Sequence, residues 1–335
     1  MRARVDAALI LSRLAQFAAA FAVFGSAAFR AYALAGDPAV RTLALVGFDV
    51  WYRRVALGGA LLALLSALAW LVATTADMAG SAAAAIDPGT IAGVLFETAF
   101  GRAWCWHLLI AGLLLGVCIR WRGRGHHGAV LVLSLLLLTS LGWVGHASMD
   151  SGSRGIAHEL NQMVHLLAGG LWLGGLFPLA WLLRHVRQAR DPAWLALACD
   201  AIPRFSQVGY AAVALLALSG AINTALLVGH PEGLVGTPYG RLLTVKIALF
   251  LAMMVLALIN RLRLLPRLRM QPPASARAAT ALARSVIAEQ ALGVAILGVV
   301  SVLGTWPPAV HAGMATASGR PNLIVAEHPM DHKRK

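Results

Sequence analysis

Eleven histidines and nine methionines punctuate the chain, and several stand where long apolar stretches begin or end. His107 lies a turn or two inside an apolar stretch over 103–120. His146 closes the next stretch, 129–147, within Gly145-His146-Ala147-Ser148-Met149-Asp150. His158 opens a third, 158–183, and His165 follows seven residues deeper, a spacing that puts both on one helix face. Met163 is two residues from His165 and so faces elsewhere. His230 falls in a connection, and the C-terminal tail adds His311, Met314, His328, Met330 and His332. Imidazole accepts copper in either oxidation state and thioether favours Cu(I), so the chemistry on offer is metal coordination. A ligating side chain inside an apolar span is costly to bury, which makes a functional role the default. The expected contacts are His146 and His165, with Met149 or His107 completing the shell and His158 close by. Each has a plainer reading: His107 as a hydrogen-bonded packing residue, His158 as a solvated interfacial side chain, and Met163, Met253 and Met254 as packing.

The elements that must position these residues follow from composition. Hydrophobic residues make up 59% of the 335 and charged residues 13%, against about a quarter charged in soluble domains. Such a chain must turn apolar surface to lipid. Eight stretches are long enough to cross roughly 30 Å of hydrocarbon: 7–29, 55–75, 103–120, 129–147, 158–183, 205–228, 242–260 and 284–306. Lipid demands that each satisfy its own backbone, so the fold class is all-α, a polytopic helical membrane protein. Short interfacial helices are expected near 30–54 and 76–102. Residues 1–308 form one transmembrane domain and 309–335 a polar, mobile tail. Arg2 and Arg4 before the first stretch resemble a signal peptide, but its length reads as a retained span. No internal repeat stands out.

The formal net charge of +14 does not indicate nucleic acid, because the basic residues sit in short clusters between spans. Four alternate loops hold 17 of the loop Arg and Lys residues and the other three hold 4, which places the first set in the cytoplasm and both termini in the periplasm. Cys105, Cys118 and Cys199 form no CxxC pair, so neither a disulfide framework nor a zinc ribbon is expected. Asn223, Lys246 and Glu289 are polar residues within spans, read as interhelical hydrogen bonding for the first and snorkelling for the others. No Walker loop, GxSxG, HExxH or dinucleotide fingerprint occurs, so no enzyme activity is expected.

From the fifth span onward the sequence resembles a known family. His165-Leu166-Leu167-Ala168-Gly169-Gly170-Leu171-Trp172-Leu173-Gly174-Gly175-Leu176 looks like the signature of the CopD copper-resistance membrane proteins, and Gly145-His146-Ala147 resembles their outer loop. Arg204-Phe205-Ser206, Gly220-Ala221-Ile222-Asn223, Tyr239-Gly240-Arg241-Leu242-Leu243-Thr244-Val245-Lys246, Asn260-Arg261, and Glu289 ahead of Pro307-Pro308 are similar too, so the resemblance is densest over 140–308. It implies a bacterial inner-membrane protein of copper homeostasis, working with a separate periplasmic carrier of the CopC type, and it carries His146 and His165 over as copper contacts.

The combined expectation is a protein that takes Cu(I) or Cu(II) at its periplasmic face and passes it inward, with Trp172 shaping the packing beneath the site. Asn223 lies on the expected inward path, and Cys118 and Cys199 are candidate receivers at the cytoplasmic side. The alternatives are a b-type cytochrome using the same histidines as haem ligands, or a copper-delivery assembly factor. Membrane lipid is the one partner that composition itself requires.

Overall fold

The computed structural model describes residues 2–35, 42–121, 125–144, 152–189, 192–268 and 274–310. Among them every regular element is helical: α1 Arg2–Tyr32, α2 Thr42–Ala79, α3 Pro88–Glu97, α4 Ala99–Ile119, α5 Gly125–Ser140, α6 Gly152–Gly169, α7 Gly175–Ala189, α8 Pro192–Val228, α9 Glu232–Gly236, α10 Pro238–Ile259, α11 Leu265–Leu268 and α12 Ala274–Leu303. Eight segments are long and apolar enough to span a bilayer, α6 and α7 counting as one, Gly152–Gln188. All eight helices begin before the apolar stretches do, and the first, second, fifth and seventh also run past their ends. The expected interfacial helix near 30–54 is instead the first turns of α2. Between 76 and 102 a 3-10 turn, Ala84–Ile86, and α3 fill the connection.

Because eight is even, α1 begins on the face where α12 ends. We call this the terminal face and the opposite one, bearing the arginine clusters, the arginine-rich face. On the latter, Arg30 of α1 pairs with Asp49 of α2.

α3, α4 and α10 start at side-chain caps. Asp87 accepts from the Thr90 backbone N–H at 2.7 Å, Thr98 from Gly101 at 2.9 Å and Thr237 from Gly240 at 3.0 Å, each satisfying a donor the helix cannot. The Thr90 hydroxyl and backbone N–H hold the Asp87 carboxyl below the usual carboxylate range.

The fifth span is the structural hinge of the bundle. Between α6 and α7 it widens into a π-helical segment, Gly170–Gly174, and Pro178 stands four residues beyond Gly174. A proline ring clashes with the carbonyl four residues back and offers it no N–H; the wider turn absorbs the mismatch. A second π segment, Asn260–Leu264, likewise precedes Pro266. The first packs directly on α1, where glycines permit contact of the two backbones. A β-carbon on Gly25 would overlap the Gly174 carbonyl carbon, and one on Gly174 would stand 3.1 Å from Gly25 Cα.

Candidate functional site

His165 sits near the C-terminal end of α6, facing α8. Its Nδ1 is 2.8 Å from Ser219 Oγ. That hydroxyl gives its own proton to the Leu215 carbonyl, so it accepts from the ring. His165 is therefore the Nδ1–H tautomer, with the Nε2 lone pair left over. Neighbouring side chains hold α6 to α8. Asn161 Nδ2 donates to the Ser219 carbonyl at 3.0 Å and to Asn223 Oδ1 at 2.8 Å, and Asn223 Nδ2 donates to Gln162 Oε1 at 2.9 Å. Asn223 is thus the interhelical fastener expected of it. Sequence reading overlooked Asn161, Gln162 and Ser219. The signal lay in Ser219 and Asn223, four residues apart, opposite a polar cluster in α6.

His165 lines a cavity of about 640 Å³ with Trp172, Gly220, Lys246, Phe250 and His230. Trp172 is buried and meets Phe250 edge-on at 5.9 Å. A smaller cavity of about 140 Å³ adjoins at the terminal face and shares Gln162, Gly220 and Lys246 with the first; His158, Arg13 and Asn223 also line it. Neither lining contains a carboxylate. Lys246, expected to snorkel, lines both. Glu289, also expected to snorkel, is buried on α12 and accepts from Asn260 Nδ2.

Among the described residues, His107, His158 and His165 do not meet at one point. His107 lies in a different place, between α1, α4 and α5. Its Nε2 is 2.8 Å from Gln16 Nε2 and its Nδ1 is 2.7 Å from Ser140 Oγ, with Ser66 Oγ donating to Gln16 Oε1 at 2.6 Å. The Trp104 ring stacks on it at 4.6 Å. Ser140 gives its proton to the Leu137 carbonyl, so His107 donates from Nδ1 and accepts at Nε2. Both nitrogens are occupied, which is the arrangement of a packing residue. Leaving such a group unsatisfied costs about 1–3 kcal/mol. Gln16→Leu is accordingly expected to lower stability by that amount in a thermal unfolding assay, with copper loading unchanged. His158 is buried and lines only the smaller cavity. His146, Met149 and the tail residues His311, Met314, His328, Met330 and His332 lie outside the described residues. Among the described residues no three of His, Cys, Asp and Glu assemble as a metal cluster, and none of the three cysteines is in a disulfide.

Fold and site together define a multi-pass helical membrane protein with a histidine-headed cavity reached from the terminal face. The chain belongs to the copper resistance protein D family. Residues 4–156 match the family model for the copper resistance protein D-like N-terminal domain, and residues 200–303 match that for copper resistance protein D. Copper resistance protein D of Pseudomonas syringae pv. tomato is 32% identical over 317 residues, covering 92% of this chain and 99% of that protein. Inner membrane protein YebZ of Escherichia coli K12 is 32% identical over 214 residues, 64% of this chain and 71% of that protein. Copper transport protein CutJ of Bacillus subtilis is 31% identical over 243 residues, 70% of this chain; the match spans 42% of that longer protein. The chain is thus a copper-related, multi-pass inner-membrane protein.

Proposed function

We propose that this protein accepts copper from the periplasm through its terminal face and carries it toward the cytoplasm, with His165 Nε2 as the intramembrane contact. One observation carries the reading. Ser219 fixes the His165 tautomer so that an sp² lone pair is left without a partner among the described residues, beside a cavity, as expected of a ligand oriented from behind by a hydrogen-bond partner. The loop charge bias of 17 to 4 supports a periplasmic terminal face. His146 and Met149, in the sequence that follows α5, supply imidazole and thioether for capture before the ion reaches His165. A separate carrier of the CopC type delivers the ion, and the protein moves it without catalysing a reaction. The names borne by the relatives from Pseudomonas syringae and Bacillus subtilis support copper as cargo.

Metal content by mass spectrometry, with an absorption spectrum of the same detergent-solubilised sample after copper titration, tests this. Copper bound in a fixed ratio without a Soret band is the expected result. Iron with a Soret band would overturn it and make the histidines haem ligands.

A further inference from the structure

Two stretches of the chain repeat one another in detail. Thr98-Ala99-Phe100-Gly101-Arg102 opens α4, and Thr237-Pro238-Tyr239-Gly240-Arg241 opens α10. In both, the threonine hydroxyl caps the backbone N–H three residues on. It also donates back to the carbonyl four residues before it, Val94 in one and Gly233 in the other, at 2.6 and 2.7 Å. In both, a β-carbon on the glycine would overlap that same carbonyl oxygen. Before each, a long helix has ended at a glycine with positive φ, Gly80 or Gly229, and a short helix, α3 or α9, has followed. The shared plan is a long span, a second long span, a left-handed glycine, a short helix, a threonine cap and two more spans. α1 to α5 follow it once, and α6 to α12 follow it again.

The correspondence extends to the polar centres. Counting from the capping threonines, His107 falls on Lys246 and Trp104 on Leu243. Gly25 and Gly174 touch each other, as equivalent residues do on a two-fold axis; counting from them, Gln16 falls on His165. Each second span carries a serine that bonds this centre and the carbonyl four residues back, Ser66 with Gln16 and Ser219 with His165, the latter one helical turn nearer its left-handed glycine. Ala67 and Gly220 each directly follow that serine.

The halves differ where their second and third spans meet. In the first, α2 packs closely on α4, and Trp104 seals the gap with its Nε1–H on the Ala67 carbonyl at 3.0 Å and its ring 4.8 Å from Trp70. In the second, α8 and α10 scarcely touch, and the 640 Å³ cavity lies between them with Leu243 and Gly220 in its wall.

We infer that the chain is two parallel four-span repeats related by an axis along the membrane normal, and that Leu243, standing where Trp104 closes the first repeat, opens the second as the single cargo chamber and leaves Gly220 uncovered in its wall. The first repeat, with Gln16, Ser66, His107 and Ser140 mutually satisfied, is the structural partner. Leu243 and Gly220 are thereby positioning residues: they do not touch the metal but determine access to His165. For the identity of the cargo this rests on the copper reading above.

Two measurements on the full chain test it, the first without metal. In a background with the three native cysteines replaced by serine, Gly220→Cys is expected to react with a small methanethiosulfonate reagent. Ala67→Cys, beneath Trp104 in the first repeat, is expected to stay unreactive, and Leu243→Trp is expected to protect Gly220→Cys. Equal labelling at the two positions, or no protection by Leu243→Trp, overturns the inference. In the second measurement, Leu243→Trp with Gly220→Ala is expected to weaken copper binding at least tenfold in protein that remains monodisperse. A β-carbon at Gly220 would meet His165 Cε1 at 3.5 Å, an ordinary contact, so that alanine does not disturb the ring. Trp104→Leu with Ala67→Gly is expected to leave copper affinity unchanged. Wild-type affinity in the closed variant overturns the chamber. Absence of copper binding in the wild type would instead overturn the cargo assignment, and the labelling result would still decide the chamber.

Discussion

Replacing His165 by alanine is expected to weaken copper binding of the purified protein by more than roughly 100-fold, beyond the 10–100-fold typical when a metal ligand loses only its hydrogen-bond partner. Ser219→Ala belongs to that milder class and is expected to fall within it. The hydroxyl accepts from Nδ1 and so keeps the lone pair on Nε2; without it the ring is free to rotate and to exchange tautomers. The pair gives a sharper test than either change alone. If Ser219 acts through His165, then Ser219→Ala adds nothing in the His165→Ala background, and a double-mutant cycle on copper affinity reads the full coupling. Additive losses would mean that Ser219 contributes through helix packing instead. Wild-type affinity in His165→Ala would remove the site.

Gly174→Ala is expected to be strongly destabilising. Its β-carbon must enter the contact between the π segment and α1, where the neighbours are the Phe21 carbonyl and the Gly25 backbone rather than flexible side chains. Overpacking typically costs about 1–3 kcal/mol. A backbone wall that cannot yield places this substitution at or above the top of that range, read as lost folded protein in size-exclusion chromatography and a lower unfolding temperature. Gly25→Ala is expected to match it, since the contact is reciprocal. The control is Gly116→Ala in α4, where an added β-carbon meets nothing within 4 Å. There the helical preference for alanine acts alone and stability is unchanged or rises by about 0.5–1 kcal/mol. Equal losses at all three glycines would show that the effect is general to glycine replacement and not to this crossing.

The membrane architecture was legible because lipid leaves the backbone few options, and eight apolar stretches became eight spans. Their ends were not legible. α2 begins at Thr42 rather than 55 because Asp49, Arg53 and Arg54 interrupt the hydropathy without interrupting the helix, and Asp49 is paired with Arg30. His165 was legible as a coordinating residue, but its orientation depends on Ser219, 54 residues away. His107 looked equally suited to bind metal until Gln16 and Ser140, from two other helices, were seen to occupy both its nitrogens. The internal repeat escaped notice for a different reason. In spans built mainly of leucine, alanine and valine, matching residues carry little information, and the positions that do carry it, Gly80 with Gly229 and Thr98 with Thr237, are few and far apart.

The glycine crossing also bears on how the protein is made. Gly174 is synthesised about 150 residues after Gly25, which at roughly 5–20 residues per second is some 7–30 seconds later. Through that interval α1 must reside in the bilayer without its main partner, carrying Arg13 and Gln16 among apolar residues. Gln16 is the first of the two to be relieved, when Ser66 and then His107 emerge. The glycine face waits longer, until the fifth span is inserted. The first half therefore closes its own polar centre before the second exists. The cargo chamber is completed last, against a partner already assembled, an order of insertion that the two-repeat plan builds into the chain.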